Sequence, residues 1–250
     1  MLSKRHYHFH LHLNNIDFVY TYIRKNACSA FKKFFVANSN MRDNIKYCNS
    51  YLEFMMKYHR VKSIDSLKAF EHKIAVIRNP SDRVISAYLN QFIQRLKKGS
   101  DLSDSISRNI SVSLDLLTFR EFVSEYLAKV DFERVDCHFW PQKEHLAPIN
   151  YNHLWLLDNL AENSEKLFGY ELANKFFKHK TNSTSKYKKY DDNAVDLSAI
   201  HIYERFLNQG DIPSYSAMLD DELEAIINQL YYDDFELFYT LKSHCITLFN

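Results

Sequence analysis

The sequence predicts an α/β fold, a single domain with a central, mainly parallel sheet flanked by helices. Three observations carry that reading. Residues 18–23, 74–77 and 154–157 are runs of β-branched, aromatic and aliphatic side chains that read as buried strands. The first two pass within a few residues into apolar patterns of helical spacing. Strands that alternate with helices in this way build a parallel sheet, and 250 residues with 46% hydrophobic content suffice for one sizeable core.

The first fifteen residues read as a peripheral N-terminal segment. His6, His8, His10 and His12 alternate there, which on a strand would align four imidazoles on one face and could hold a transition metal. With no acid or thiol nearby, an exposed terminal strand is the expected form. Strand 18–23 leads through a turn at 24–29 to a helix with Ser29 as its N-cap and Phe31, Phe34 and Phe35 at i, i+3 and i+4. Residues 41–70 are mostly helical in pattern, with Tyr51, Leu52, Met55 and Met56 on the apolar face. After strand 74–77 come Asn79 as N-cap, Pro80 at the first helical position and Asp82 in the first turn.

That helix carries Ile85, Tyr88, Leu89, Phe92 and Leu96 on one stripe and breaks into a polar stretch, 98–113, expected to be a mobile surface loop or lid. Thr118 and Glu121 form a capping-box start for the helix containing Phe122, Tyr126 and Leu127. The basic, non-periodic stretch within 179–195 is expected to be a second mobile loop that orders over a ligand. Leu219, Leu223, Ile226, Ile227 and Leu230 follow helical spacing behind Asp220, Asp221 and Glu222.

Composition excludes several classes. With 32 basic and 31 acidic residues the net charge is +1, so no global field favours nucleic acid or an anionic membrane. Gly99, Gly169 and Gly210 are far apart, which excludes both the G-x-x-x-x-G-K-[ST] loop and the G-x-G-x-x-G turn. Cys28, Cys48, Cys137 and Cys245 show no metal-site or disulfide-framework spacing and read as reduced thiols of a cytoplasmic protein. No run reaches the length of a membrane span, and the N-terminus lacks an apolar signal core.

The two strand-loop-helix units carry the chemistry. Residues 24–33 and 76–88 each place cations where a helix N-terminus offers unpaired N–H groups and the positive end of its dipole. Two such turns suit a ligand with two separate anionic groups. A single Lys or Arg is ordinarily a solvated charge and a single Ser an ordinary cap; the linkage of two motifs favours the functional reading.

These motifs resemble those of the 3′-phosphoadenosine 5′-phosphosulfate (PAPS) dependent sulfotransferases, in the carbohydrate branch called sulfotransferase family 2. Lys25, Cys28, Ser29, Phe31, Lys32 and Lys33 fall on the 5′-phosphosulfate loop P-K-x-x-C-[ST]-x-W-K-R, with Arg24 in place of the proline. Arg78, Pro80, Arg83, Ile85, Ser86, Ala87 and Tyr88 fall on V-R-[DE]-P-x-x-R-L-[VI]-S-A-Y, with Asn79 in place of the acid. Residues 136–142 resemble H-W-x-P-Q, 149–151 and 158–160 resemble I-x-Y-D and E-N-L, and 232–238 resemble a C-terminal Y-x-x-D-F-x-L-F signature. Leu146-Ala147-Pro148 stands where secretory members carry a cysteine pair around the proline, in keeping with a reducing compartment.

The resemblance implies a P-loop-NTPase-like sulfotransferase fold and transfer of a sulfuryl group from PAPS to a carbohydrate hydroxyl, without a metal. It implies that Lys25 serves the bridging and 5′-phosphate oxygens of PAPS. Ser29 and the amides around Asn26, Ala27, Cys28 and Ala30, with Lys32 or Lys33, would hold the 5′-phosphate. Arg78 and Ser86 would hold the 3′-phosphate; Arg83 is left outside the site as a residue facing an acidic partner. The acceptor hydroxyl needs a base, for which His59, by position, and His138, by motif, compete, with His59 ranked slightly ahead. The acceptor would be a surface or capsular polysaccharide precursor, recognised through residues 98–113 and 179–195. The alternatives are a non-catalytic nucleotide-fold module that binds a glycan or protein partner, and a phosphoryl transferase, the latter weakened by the lack of a Gly-rich loop.

Overall fold

The structure, a computed structural model, describes residues 2–178 and 187–247, with side chains at the C-terminal end described as far as residue 243. The chain divides into two compact units. The first comprises Met1–Arg78, Gln142–Thr181 and Leu237–Asn250, and the second Asn79–Pro141 and Asn182–Glu236.

The α/β class predicted from sequence is the one observed. Five strands, β1 His8–Leu13, β2 Ile16–Thr21, β3 Arg60–Val61, β4 His72–Ile77 and β5 His153–Leu156, form one sheet of order β3-β1-β2-β4-β5. β2, β4 and β5 pair in parallel, whereas β1 runs antiparallel to both of its neighbours, so β1 alone is reversed. The helices of this unit are α1 Cys28–Asn38, α2 Tyr51–Tyr58 and α3 Ile64–Ala69. The second unit opens with α4 Pro80–Ala87, α5 Asp101–Asn109 and the short α6 Phe119–Glu121. Back in the first unit, α7 Leu160–Phe168 and α8 Tyr170–Phe176 follow β5.

Strand alternation sorts the side chains to two faces. Phe9, Leu11, Phe18, Tyr20, Ile74 and Val76 face the helices α1, α2, α7 and α8, meeting Phe31, Phe34, Phe35, Phe54, Phe168 and Phe176. Tyr20 stacks flat on Phe31 with ring centroids 3.8 Å apart. On the opposite face Val19 meets Val61, Leu67 and Ala147, and Ile23, Ile77 and Leu156 pack on Phe238.

The second unit is mainly helical. Its remaining elements are the strands β6 Lys188–Tyr190 and β7 Asp211–Pro213, which pair in parallel, and the helices α9 Ala199–Gln209 and α10 Asp221–Leu230. Helix α11, Tyr232–Thr247, begins in this unit. Tyr88, Phe92, Phe119, Phe122, Tyr126 and Phe139 are central to its core. The capping box at Thr118 and Glu121 is present as expected. Arg120 binds Asp196, Asp220 and Glu222, while the Asp220 side chain caps α10 by accepting from the Leu223 amide at 2.9 Å. That amide bond, reinforced by Arg120, lowers the Asp220 pKa.

Several expectations are corrected. Within 98–113 the chain forms α5, capped by Ser100 accepting from the Ser103 amide, instead of a loop. Leu102 and Ile106, one turn apart, bury its inner face. The stretch 179–186 lies outside the described residues; of the second expected loop, Lys188–Tyr190 is a strand. The region 41–70 is mostly helical as expected, and between α2 and α3 it also holds β3, whose two residues are too short for a periodic signal. The stripe after Ala87 continues as π-helix over Tyr88–Phe92 and 3-10 helix over Ile93–Arg95.

The N-terminal segment is also not peripheral, because β1 lies inside the sheet and His8 is 0% exposed. His8 Nδ1 lies 2.9 Å from Thr21 Oγ1, and that hydroxyl donates to the Tyr151 hydroxyl at 3.2 Å. Thr21 therefore accepts from His8, which places the imidazole proton on Nδ1 and leaves Nε2 buried with no partner. Burial, with a smaller push from His6, takes its pKa down to about 3.

A histidine that stays neutral when folded stabilises the fold above its unfolded pKa of roughly 6.5. That stability drains away as pH falls from there toward about 3, at up to ~1.4 kcal/mol per pH unit. Urea midpoints measured between pH 7 and pH 4 should therefore fall less steeply for His8→Asn, which keeps a donor near the Nδ1 position, than for the wild type. Equal slopes would remove His8 from this role.

Candidate functional site

The first turn leaves the carboxyl end of β2. α1 begins at Cys28, one residue before the expected Ser29 cap, and its N-cap is Ala27, which has φ 57° and no side-chain cap bond. Lys25 is left-handed too, with φ 71°. L-residues avoid this region by about 1–2 kcal/mol each, because Cβ crowds the backbone. In a turn without glycine, Lys25 and Ala27 take up that geometry on either side of Asn26, which is 0% exposed.

The consequence is a helix start aimed out of the strand end with a lysine beside it. The amides of Ala30 and Phe31 both donate to the Ala27 carbonyl, at 2.9 and 3.2 Å. The expected Ala30 amide donor is therefore already used, and the donors α1 offers to an anion are at Cys28 and Ser29. Lys32 and Ser29 are half-buried and Lys33 is exposed.

The second turn leaves the carboxyl end of β4, the parallel neighbour of β2. In open α/β sheets this end of adjacent strands is where ligands are held. Asn79 caps α4 by accepting from the Asp82 amide at 3.2 Å, with Pro80 following, as its sequence predicts. Arg78 is 6% exposed, and its Nη1 donates to the Lys25 carbonyl at 3.2 Å. Lys25, Asn26 and Arg78 are thereby brought together.

Ser86 lies in the last turn of α4, in the second unit, and is 1% exposed. Arg83, also in the second unit, is 1% exposed, and its charge and that of the buried Asp234 act in opposite directions on the Tyr231 hydroxyl, whose pKa burial raises. Tyr231 donates to the Phe139 carbonyl at 2.7 Å and is 1% exposed, whereas Tyr232 is 60% exposed. At 231, three residues before Asp234, a tyrosine has the spacing of the Y-x-x-D pattern that the sequence reading begins at 232.

Gln142 belongs to a motif the sequence singles out, but no role for it was legible there. It is 0% exposed. Its Oε1 accepts from the Arg78 amide at 3.0 Å, its Nε2 donates to the Arg78 carbonyl at 2.9 Å, and Oε1 also accepts from Asn26 Nδ2. Asn26 Nδ2 donates in addition to the Val76 carbonyl at 2.7 Å.

The two candidate histidines differ in what their rings are bonded to. His59, at the end of α2, is 5% exposed and sits against the rings of Phe35 and Phe54. Its Nδ1 lies 2.9 Å from the His10 carbonyl and so carries the proton; its Nε2, 3.0 Å from Ser39 Oγ, accepts from that hydroxyl. Burial lowers its pKa. His138 Nδ1 instead lies 2.6 Å from Asp136 Oδ1, with the ring 22% exposed. The carboxylate accepts from Nδ1–H, which leaves the lone pair on Nε2, the tautomer a general base needs.

Asp136, Cys137 and His138 also place one ligand atom each within 4.8 Å of one another, a set that suits a cation. Asp136 Oδ1 already accepts from the His138 ring and, at 2.8 Å, from the His138 amide. Cys28 and Cys48 are free thiols, and no helix among the described residues is long and apolar enough to cross a membrane.

Among known proteins, a family model described as "Sulfotransferase family" matches residues 12–240 of the chain. No curated protein and no solved structure matches it.

Proposed function

Because the chain belongs to the sulfotransferase family, whose chemistry is sulfuryl transfer, we propose that it moves the sulfuryl group of PAPS to a hydroxyl of a carbohydrate. The observation that carries this reading is the pairing of the two cationic turns at the carboxyl ends of β2 and β4, with Arg78 bonded to the Lys25 carbonyl. A donor with a 5′-phosphosulfate and a 3′-phosphate offers the two anionic groups such turns suit.

In the reaction the acceptor oxygen forms a bond to sulfur while the bond from sulfur to the 5′-phosphate oxygen breaks. Adenosine 3′,5′-bisphosphate leaves, and the hydroxyl proton passes to a base. As in phosphoryl transfer, the protein contributes alignment and stabilisation of charge on the leaving oxygens. Lys25, with the amides at Cys28 and Ser29, takes the 5′ end; Arg78 and Ser86 take the 3′-phosphate. His138, oriented by Asp136, is the base in this reading; His59, whose ring lies between the His10 carbonyl and the Ser39 hydroxyl, is the alternative. A cytoplasmic site and a polysaccharide-precursor acceptor belong to the same reading; Leu146-Ala147-Pro148, lacking the cysteines of secretory members, supports the first.

The experiment is incubation of the protein with labelled PAPS and a panel of glycans. Label should enter a glycan, should persist in excess ATP, and should be abolished by adenosine 3′,5′-bisphosphate. Competition by ATP would favour a phosphoryl transferase, and binding of the bisphosphate without transfer would favour a non-catalytic module.

A further inference from the structure

The parallel ladder between β2 and β4 ends at the pair Thr21 and Ala75. Beyond it Val76 keeps its pairing with Trp155 of β5 but has no partner in β2, and Arg78 lies past the end of β4. Two buried side-chain amides bond to the backbone there. Asn26 serves the Val76 carbonyl, Gln142 serves both the amide and the carbonyl of Arg78, and the two side chains bond to each other.

We propose that Asn26 and Gln142 are positioning residues that set the placement of the first cationic turn against the second, and through it the affinity for a ligand bearing two anionic groups. The proposal rests on the nucleotide reading for the identity of that ligand.

The backbone supplies the reason. Left-handed Lys25 and Ala27 flank Asn26, and such strain persists only where the surroundings over-determine the conformation. Asn26 is the buried anchor between the two strained residues. Arg78 is held at both backbone groups by one side chain, so its guanidinium starts from a fixed point. Because Gln142 Oε1 accepts from Asn26 and Arg78 at once, a shift of either turn is felt by the other. A buried donor or acceptor left unmatched is costly, so the coupling is not easily given up.

The test uses the whole chain with two variants, Gln142→Met and Asn26→Ala. Amide exchange is followed without nucleotide, and binding of adenosine 3′,5′-bisphosphate is followed by calorimetry. Gln142→Met should speed exchange in residues 24–29, and Asn26→Ala should speed it at Arg78, whose own acceptor is still present. Amides within β1 should keep their protection. Affinity should fall by about tenfold or more in each variant, as expected for the loss of one or two buried bonds. Wild-type affinity in both variants, exchange that rises uniformly over the sheet, or failure of both to fold would overturn the proposal, the last two by making the residues merely structural. Absence of binding by the wild type would instead remove the nucleotide reading, and the exchange pattern would then decide the coupling of the turns by itself.

Discussion

His138→Asn is expected to lower the turnover number for sulfuryl transfer by about 10²–10⁴-fold, the range for removing a positioned general base. Asparagine keeps a donor for the Asp136 carboxylate, which His138 Nδ1 now reaches at 2.6 Å, but it has no lone pair where Nε2 stood. Affinity for adenosine 3′,5′-bisphosphate should be unchanged, since the ring is assigned to the acceptor's proton. His59→Asn makes the control. It opens a hole between Phe35 and Phe54 and unseats bonds to the His10 carbonyl and Ser39, so its thermal midpoint should fall while the folded fraction still turns over. Comparing rate and midpoint for the two variants checks both halves. Wild-type turnover in His138→Asn, or loss of turnover at full stability in His59→Asn, would reverse the assignment.

Lys25→Ala is expected to reduce transfer by about 10²–10³-fold, the cost of removing one donor aimed at developing charge. Its effect on the fold should be small. The side chain is only half-buried, and even an ion pair at such a position contributes roughly 0–1 kcal/mol. The backbone at 25 keeps its left-handed form, because alanine bears the same Cβ as lysine and the neighbouring Asn26 is held by Val76 and Gln142. Binding of the bisphosphate should weaken less than turnover falls, since the lysine acts most strongly as the leaving oxygen gains charge. Calorimetry, a melting curve and the labelling rate on the same sample separate these effects. Equal losses of stability and activity would mark Lys25 as structural.

The start of α4 shows what local sequence can specify. Asn79, Pro80 and Asp82 each act within one turn of the chain, and the cap is where they put it. The capping box at Thr118 and the cap at Asp220 follow for the same reason. The start of α1 was not legible. Ser29 is a good cap by type, but tertiary bonds from Asn26 hold Ala27 in a left-handed form that local propensity would reject, and the helix starts two residues earlier. β1 was mislaid in a similar way. The alternation of His8, Phe9, His10 and Leu11 states that two faces differ, but not that another strand lies along each edge. In 98–113 the serines and acids masked the Leu102–Ile106 pair, which becomes a helix face only because a core is there to receive it.

The candidate site divides along the same line. The placement of Lys25 and Arg78 between a strand end and a helix start was legible, because each stands in a run whose spacing sets one against the other. Gln142 and the contrast between His138 and His59 were not, since each depends on which atoms meet across 40 or more residues, or on a single ring's partners.

The sequence by itself determined the α/β class, the two cationic turns and the family, because strand periodicity, helix caps and motif spacing are short-range properties carried by neighbouring residues. Only the tertiary structure decided that β1 is interior, that two buried amides join the turns, and that the His138 ring meets a carboxylate while the His59 ring lies between a backbone carbonyl and a serine hydroxyl. Those outcomes depend on burial and hydrogen-bond pairing between distant segments, which no local pattern encodes.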